Sequence, residues 1–425
     1  MFDVLIVGGG MVGASLACAL GDKNNRSNSL KVGLIEARAD LLQGQFGADG
    51  RASAVALGSS HIWQNIGVWD GMLRRGVSPM HCIQISDGDY PHSVKLRRED
   101  IKQEALGYVV ENATTQAALW EFIDRCHNIE VICPAKIIDI VKPEIGSDKS
   151  IEVKISSDLG DQFLSAKLLV AADGGRSVVR SLANITTTQK HYDQTCIVLT
   201  VKTEHSHHNI AYERFQNSGP FAILPLPSNN QNNPNGDRCC IVWTAATAEI
   251  PTLIELDEDR FMQELCQRFG ADLLASLGKL TIESKQRASY VPQWMHAQTY
   301  IQPRLALIGD AAHTTHPVAG QGMNLGIRDV GSIAEIILTA HHKGEDIGSI
   351  DVLKRYQTWR RWDNLGVIML TDITNRLFSN QFFVLQWLRR IGLALASLLP
   401  FKRILMHFMM GLIGRQPRLP KQADL

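Results

Sequence analysis

The sequence carries no excess of either charge: Lys plus Arg and Asp plus Glu are 43 each in 425 residues. It has no block of basic residues, so neither a whole-chain field nor a local arm draws in nucleic acid. No CxxC pair occurs among its eight cysteines, which argues against a zinc ribbon and a thioredoxin-like redox site. Sparse and irregularly spaced, these cysteines read as reduced thiols of a cytoplasmic protein, with Cys239 and Cys240 as ordinary buried or half-buried side chains. No apolar run reaches the ~20 residues of a membrane span, because residues 378–413 are broken by Arg389-Arg390 and Lys402-Arg403. A first strand starting at Phe2 leaves no room for a secretory leader. No internal repeat is present. No metal site is expected: His205, His207 and His208 read as a solvated turn, and His313 and His316 are too close in sequence to hold an ion without further ligands.

With 45% hydrophobic and 20% charged residues, the chain has the composition of a soluble globular protein and the length for two domains. The apolar run Phe2–Val7 reads as a buried parallel strand. It enters Gly8-Gly9-Gly10-Met11-Val12-Gly13 and then a small-residue helix. Gly8 permits the tight turn, Gly10 lets backbone approach a pyrophosphate, and Gly13 lets helix and strand pack closely. A second strand over residues 31–35 ends at Glu36, whose carboxylate suits ribose hydroxyls and repels a 2′-phosphate. A polar surface loop over residues 22–29 lengthens the gap between them. The motif alone is weak; its placement between strand, helix and acid is what argues against an idle glycine turn.

Two later segments repeat the pattern of an apolar strand ending in an acid. Residues 168–180 place Asp173-Gly174 at a strand end, with Ser177 and Arg180 opening a helix. Residues 304–324 place Gly309-Asp310 at another, followed by Pro317 and a helix beginning near Gly320. A strand-end carboxylate beside the first βαβ unit can hydrogen-bond a ribityl chain, which FAD has and NAD lacks. Gly320 and Gly322 allow close backbone approach, and the helix they open aims its positive end at the site, where reduced flavin carries negative charge. No second GxGxxG occurs, so NAD(P)H is expected to bind transiently over the flavin.

These three segments resemble those of the para-hydroxybenzoate-hydroxylase-type FAD monooxygenases, and within them the ubiquinone-biosynthesis hydroxylases. Smaller matches carry the narrower likeness: Asp49-Gly50-Arg51-Ala52, Glu111-Asn112 followed by Gln116, Tyr192-Asp193-Gln194, Tyr212-Glu213-Arg214-Phe215, Gly219-Pro220, Val242-Trp243-Thr244 and Thr371-Asp372. The likeness covers essentially the whole chain. It implies FAD contacts from Gly8, Gly10, Gly13, Glu36, Arg51, Gln116, Asp310, Pro317 and the backbone around Gly320, Gly322, Met323 and Asn324. Asp173 and Gly174 belong to a fingerprint tied in the family to both FAD and NAD(P)H. One departure is Ala113, where the family often has arginine.

The fold class expected is α/β: a Rossmann-like FAD-binding domain with an inserted mixed β-sheet substrate domain and C-terminal helices. The FAD domain is expected to be discontinuous, over residues 1–75, 106–183 and 296–345. Strands suggested within residues 189–202, 211–226 and 239–245 would belong to the substrate domain, over 76–105 and 184–295, with a polar hairpin loop at 228–237. A helical region covers 346–425, with an amphipathic helix over 350–359. Trp359, Arg360, Arg361 and Trp362 read as helix packing rather than a cation–π site. The helices of 378–413 read either as core or as an amphipathic surface on a membrane or on subunits of a quinone-synthesis complex, with their bases at lipid headgroups. Location is accordingly cytoplasmic, with the inner face of a membrane as the place such a surface would rest.

By resemblance the activity is NAD(P)H- and O2-dependent ring hydroxylation through a flavin C4a-hydroperoxide, on a polyprenylated phenol or benzoquinol. Three alternatives stay open: monooxygenation of a soluble aromatic acid, isoprenoid double-bond reduction, and a catalytically idle flavoprotein scaffold. A halogenase is disfavoured because no WxWxIP segment occurs. No side chain stands out as the base for the substrate phenol, His191 and Tyr192 included.

Overall fold

The apolar run Phe2–Val7 lies at the middle of an eight-stranded sheet. Val32–Ile35 and the end of Gly160–Ala171 flank it in parallel, and Ile129–Ile132 and Leu305–Leu307 extend the parallel block outward. Helices Met11–Leu20, Asn112–Ile123 and Gln321–His342 bury Leu16, Leu119 and Ile333 in one core with Leu5 and Leu169. Parallel strands covered by crossover helices must be apolar along their length, which is why these runs do not alternate. All five strands point the same way, so Gly8, Glu36, Asp173 and Gly309 follow their carboxyl ends along one edge. That edge is where open α/β sheets bind ligands.

This computed structural model describes residues 1–24, 28–46, 50–88, 90, 92–141, 150–216, 218–228, 236–283, 287–379 and 383–419. Asp49, residues 25–27 of the first polar loop and residues 229–235 of the second lie outside them.

A second eight-stranded sheet draws on residues 82–97 and 194–290. It is mixed, because Ile210–Gln216 pairs with Cys82–Asp87 in parallel and with Gly219–Leu226 antiparallel. One face is covered by helices Ile250–Glu255, Glu258–Phe269 and Ala271–Leu277, which bury Phe261, Leu265 and Phe269 against Phe221 and Trp243. The sequence reading placed this stretch in a β-sheet domain without marking these helices. Their local signal is the Asp257 cap, whose carboxylate accepts from the Arg260 N–H at 2.8 Å.

Two further boundaries differ from expectation. Residues 189–202 form two strands in two sheets: Thr187–His191 pairs with Gln293–Ala297, while Gln194–Thr203 joins the second sheet. The helix expected over 350–359 runs on as Ile350–Phe378, capped by Ser349. Phe383–Ser397 and Leu399–Met409 follow it, with a 99° bend between the segments Arg389–Leu395 and Pro400–Met409. Among the described residues no single helix is long and apolar enough to cross a membrane.

Candidate active site

The glycine turn divides its labour as close packing requires. Gly8 sits at φ +103°, and a Cβ there would stand 2.5 Å from the Ala172 carbonyl oxygen. A Cβ on Gly13 would stand 1.9 Å from the Gly8 carbonyl oxygen, so both positions exclude any side chain. At Gly10 a Cβ would meet nothing within 4 Å. Gly10 caps the Met11–Leu20 helix without a side-chain hydrogen bond, which leaves the positive helix end facing open space. Glu36 holds the turn from the next strand, accepting the Gly9 N–H at 2.5 Å and the Arg38 N–H at 2.8 Å.

The other two segments meet beside this turn. Arg180 donates to the Ala311 carbonyl and to the Gly175 carbonyl, both at 2.8 Å, tying the Asp173 and Asp310 segments together. Asp173 accepts from the Val179 N–H at 3.1 Å through one oxygen, while its other oxygen and Thr314 Oγ1 are buried without a partner among the described residues. Gly309 is fixed by Asp329, which accepts its N–H at 3.1 Å and pairs with His313 at 2.6 Å. Arg360 and Asn364 each donate to the other Asp329 oxygen at 2.9 Å. Burial alone would raise the Asp329 pKa, but His313, Arg360 and Asn364 together hold it well below the usual carboxylate range. Asp310 itself is exposed and turned into a large cavity; the surrounding protein raises its pKa and His313 lowers it in part.

That cavity has a volume of about 700 Å³. One end is lined by Gly10, Met11, Gly174 and Asp310, with Pro317, Gly320, Gly322, Met323 and Asn324 from the third segment. Its wall is the open face of the second sheet, including Ile85, Glu213, Ala222 and Val242. Its roof comes from the C-terminal helices, with Leu377, Phe378, Leu393, Met406 and Met409. Arg389 anchors the roof: its guanidinium forks onto both oxygens of buried Asp87 at 2.8 Å and reaches the Phe378 carbonyl at 2.9 Å. Lys402 pairs with Asp100 at 2.5 Å, and Arg403 donates to the Asp100 carbonyl at 3.0 Å. Of the four bases expected at lipid headgroups, Arg389 and Lys402 are thus held in ion pairs within the protein, while Arg403 is exposed.

Of the remaining site residues read from the sequence, Gly8, Gly13, Glu36 and Asp173 are not in the cavity lining. Arg51 is exposed at the head of strand Ala52–Ala56, and its carbonyl accepts the Asn112 N–H at 2.9 Å. Gln116 lies one turn into Asn112–Ile123, half-buried. Besides lining the cavity, Asn324 has a structural part. Its amide bridges the Ala56 N–H, the Ala54 carbonyl and the Gly320 carbonyl, all at 2.8 Å, and so clamps a strand to the Gln321–His342 helix.

His207 also departs from the solvated reading: it is buried, with Nε2 3.0 Å from the Leu226 carbonyl, and burial lowers its pKa. Among the described residues no group of three His, Cys, Asp or Glu side chains could hold a metal. His316 bonds to Gln194 at 3.1 Å and burial pushes its pKa down to about 3, so it is neutral. Tyr192 donates to Asp372 at 2.7 Å, so its hydroxyl proton is committed to that carboxylate. Arg361 stands over the Trp362 ring at 5.8 Å, which departs from the packing reading of that cluster, and Arg415 stands over the Trp359 ring at 3.9 Å. The cavity wall and roof were not marked by the sequence reading as site residues. Their signals were the motifs Tyr212-Glu213-Arg214-Phe215, Gly219-Pro220, Val242-Trp243-Thr244 and Thr371-Asp372, which touch the lining at Glu213, Pro220, Val242 and Thr371; the rest looks like core until the space beside it is known.

The open turn at Gly10, the uncapped helix ends and the unpartnered Asp173 and Thr314 oxygens fit an elongated polar cofactor with phosphates and hydroxyls. The chain matches the family model of the FAD binding domain over residues 1–363. It is 38% identical over 423 residues to the ubiquinone hydroxylase UbiL of Rhodospirillum rubrum, spanning 99% of this chain and 92% of that protein. It is 32% identical over 396 residues to the 3-demethoxyubiquinol 3-hydroxylase of Escherichia coli, spanning 93% and 94%. The p-nitrophenol 4-monooxygenase PnpA of Pseudomonas putida shares the fold, with a TM-score of 0.76 at 19% identity over 98% of this chain and 99% of that one. The chain is a member of the FAD binding domain family, in its branch of ubiquinone-biosynthesis FAD hydroxylases, and is an FAD-dependent monooxygenase.

Proposed function

We propose that the chain hydroxylates the ring of a polyprenylated phenol or benzoquinol in quinone biosynthesis, with NAD(P)H and O2 as co-substrates. The cavity carries this reading. It is continuous from Gly10 and Asp310 to an apolar roof of leucine, phenylalanine and methionine side chains, the shape and polarity of a ring with a hydrocarbon tail. The one basic side chain in its described lining, Arg389, is taken up by Asp87, which leaves the carboxylate of a soluble aromatic acid without a cation. The names of the relatives, ubiquinone hydroxylase and demethoxyubiquinol hydroxylase, support the same substrate class.

In this reading Gly10 and the Met11–Leu20 helix end take the pyrophosphate, Glu36 the adenosine ribose, and Asp310 the ribityl chain. The backbone from Gly320 to Asn324, at the start of the Gln321–His342 helix, would meet the flavin, and Arg51, Gln116, Asp173, Gly174 and Pro317 are the remaining candidate FAD contacts. Bound FAD, reduced by NAD(P)H and supplied with O2, provides the electrophilic oxygen. The protein's own contribution is to orient the substrate ring and to exclude water behind the helical roof. Trp387, Phe401 and Ile404 project outward from the roof at 60%, 58% and 63% exposure. They support a peripheral contact with a membrane surface, from which a prenylated substrate would enter.

Gene deletion in the native host, with lipid quinones read by mass spectrometry, tests the activity. The expected result is loss of the mature quinone and accumulation of a precursor one oxygen short. An unchanged quinone profile, in a host with no second copy, would overturn it.

A further inference from the structure

One side chain on the cavity wall breaks an otherwise apolar surface. Val94, Ile85, Glu213, Ala222 and Val242 form a single cross-strand row over five strands of the second sheet, and all five line the cavity. Four of them are aliphatic. Along its own strand Glu213 lies between Ala211 and Phe215, alternate residues that line the same space. Its carboxylate has no hydrogen-bond or ion-pair partner among the described residues.

The other titratable groups of the wall do not answer it. Arg389 is forked onto Asp87, burial raises the pKa of Tyr212 and of Tyr290 so both hydroxyls stay neutral, and Asp310 stands at the cofactor end. The Glu213 carboxylate influences the Cys196 thiol electrostatically, and that thiol is engaged with Thr244 at 3.4 Å. A carboxyl facing an apolar cavity without a partner costs stability, and such costs persist where a ligand supplies the missing partner.

We propose that Glu213 receives the hydroxyl of the substrate ring and acts as its proton acceptor. This rests on the reading of the substrate as a phenol or quinol. The O–H bond of the substrate breaks, its proton goes to a Glu213 carboxylate oxygen, and the electron pair left on the phenolate oxygen delocalises into the ring. The ortho and para carbons become more nucleophilic toward the electrophilic oxygen that flavin and O2 supply. After oxygen transfer the hydroxylated carbon loses its proton as aromaticity returns, that proton leaves in the water formed from the second atom of O2, and Glu213 gives its own proton back to the original phenolate oxygen. Burial raises the Glu213 pKa to about 7, closer to that of a phenol than an ordinary carboxylate, which favours sharing of that proton near neutral pH.

The test compares wild-type holoenzyme with Glu213→Gln and Glu213→Asp, using a farnesylated phenol and its O-methyl ether as probes. Binding is followed by the flavin absorption spectrum, and turnover by product formation against NAD(P)H oxidation. Glu213→Gln is expected to keep FAD content and to melt no lower than wild type above pH 7, since it removes a carboxyl whose ionisation disfavours the fold. Its kcat for hydroxylation should fall about 100-fold, and Glu213→Asp should recover part of it. Wild type should prefer the phenol over the ether by tenfold or more in affinity, and Glu213→Gln should lose that preference. Unchanged kcat and unchanged preference in Glu213→Gln would overturn the role while leaving the hydroxylase reading intact. Binding preference lost in the variant, with no hydroxylation by wild type, would uphold the contact with Glu213 and overturn the substrate reaction. Failure of wild type to bind either probe would overturn both.

Discussion

Gly8 and Gly10 stand two residues apart and are glycine for different reasons. At Gly8 a side chain would collide with the Ala172 carbonyl and would also have to adopt φ +103°. Gly8→Ala is therefore expected to destabilise the protein itself, by about 1–3 kcal/mol, in thermal melts made without FAD. At Gly10 the space is open, so Gly10→Ala should leave the FAD-free melt where it was and weaken FAD binding instead. Equal loss of apoprotein stability in both variants would contradict this division. The glycine spacing was legible in the sequence because each backbone demand acts over a few residues. Asn324 was not, because its role as a clamp depends on Ala54 and Ala56, about 270 residues away.

The roof helix Phe383–Ser397 is held by one buried ion pair more than by its own apolar face. Arg389 and Asp87 are both nearly inaccessible, and removing the Arg389 charge leaves buried Asp87 with Arg390 at 3.7 Å in place of the two-point fork. Arg389→Met is expected to cost about 3–5 kcal/mol locally and to raise hydrogen exchange across residues 383–409, while the parallel sheet keeps its protection. Replacing both residues, Arg389→Met with Asp87→Leu, should recover much of that loss, because the desolvated charges leave together. Unaltered exchange in the single variant would show that the roof is held by packing alone. At this scale the sequence identified helices by composition but not their ends. The Ile350–Phe378 helix outruns the amphipathic signal at its start because its later turns pack on several partners, among them Thr315 and the Gln194–Asn375 contact.

Across the whole molecule, the roof's outer surface raises the question of where the protein works. Trp387, Phe401 and Ile404 lie outside while Leu393, Met406 and Met409 line the cavity, so these helices are apolar on two sides. Flotation with vesicles of neutral and anionic phospholipid should carry wild type upward. The triple variant Trp387→Ser, Phe401→Ser, Ile404→Ser should remain at the bottom with its FAD bound. Equal flotation of both proteins would place the lipid contact elsewhere. Retention of wild type at the bottom would remove the membrane from this proposal.

The sequence by itself determined the cofactor and the sheet that carries it. Each FAD segment is a local unit of strand, turn and helix, and its glycines and acids answer to backbone geometry within a few residues. The Gln321–His342 helix and the strand-end acids at Asp173 and Asp310 could be read in the same way. Only the tertiary structure decided what encloses the reaction space. It brought Asp87 to Arg389 and Asp329 to Arg360, and it put Glu213 alone in a row of aliphatic side chains. Those relations join strands and helices that are distant in the chain, and a lone carboxyl in a β-strand carries no local mark of what it faces. Burial, and therefore chemistry, is a property of the assembled surfaces.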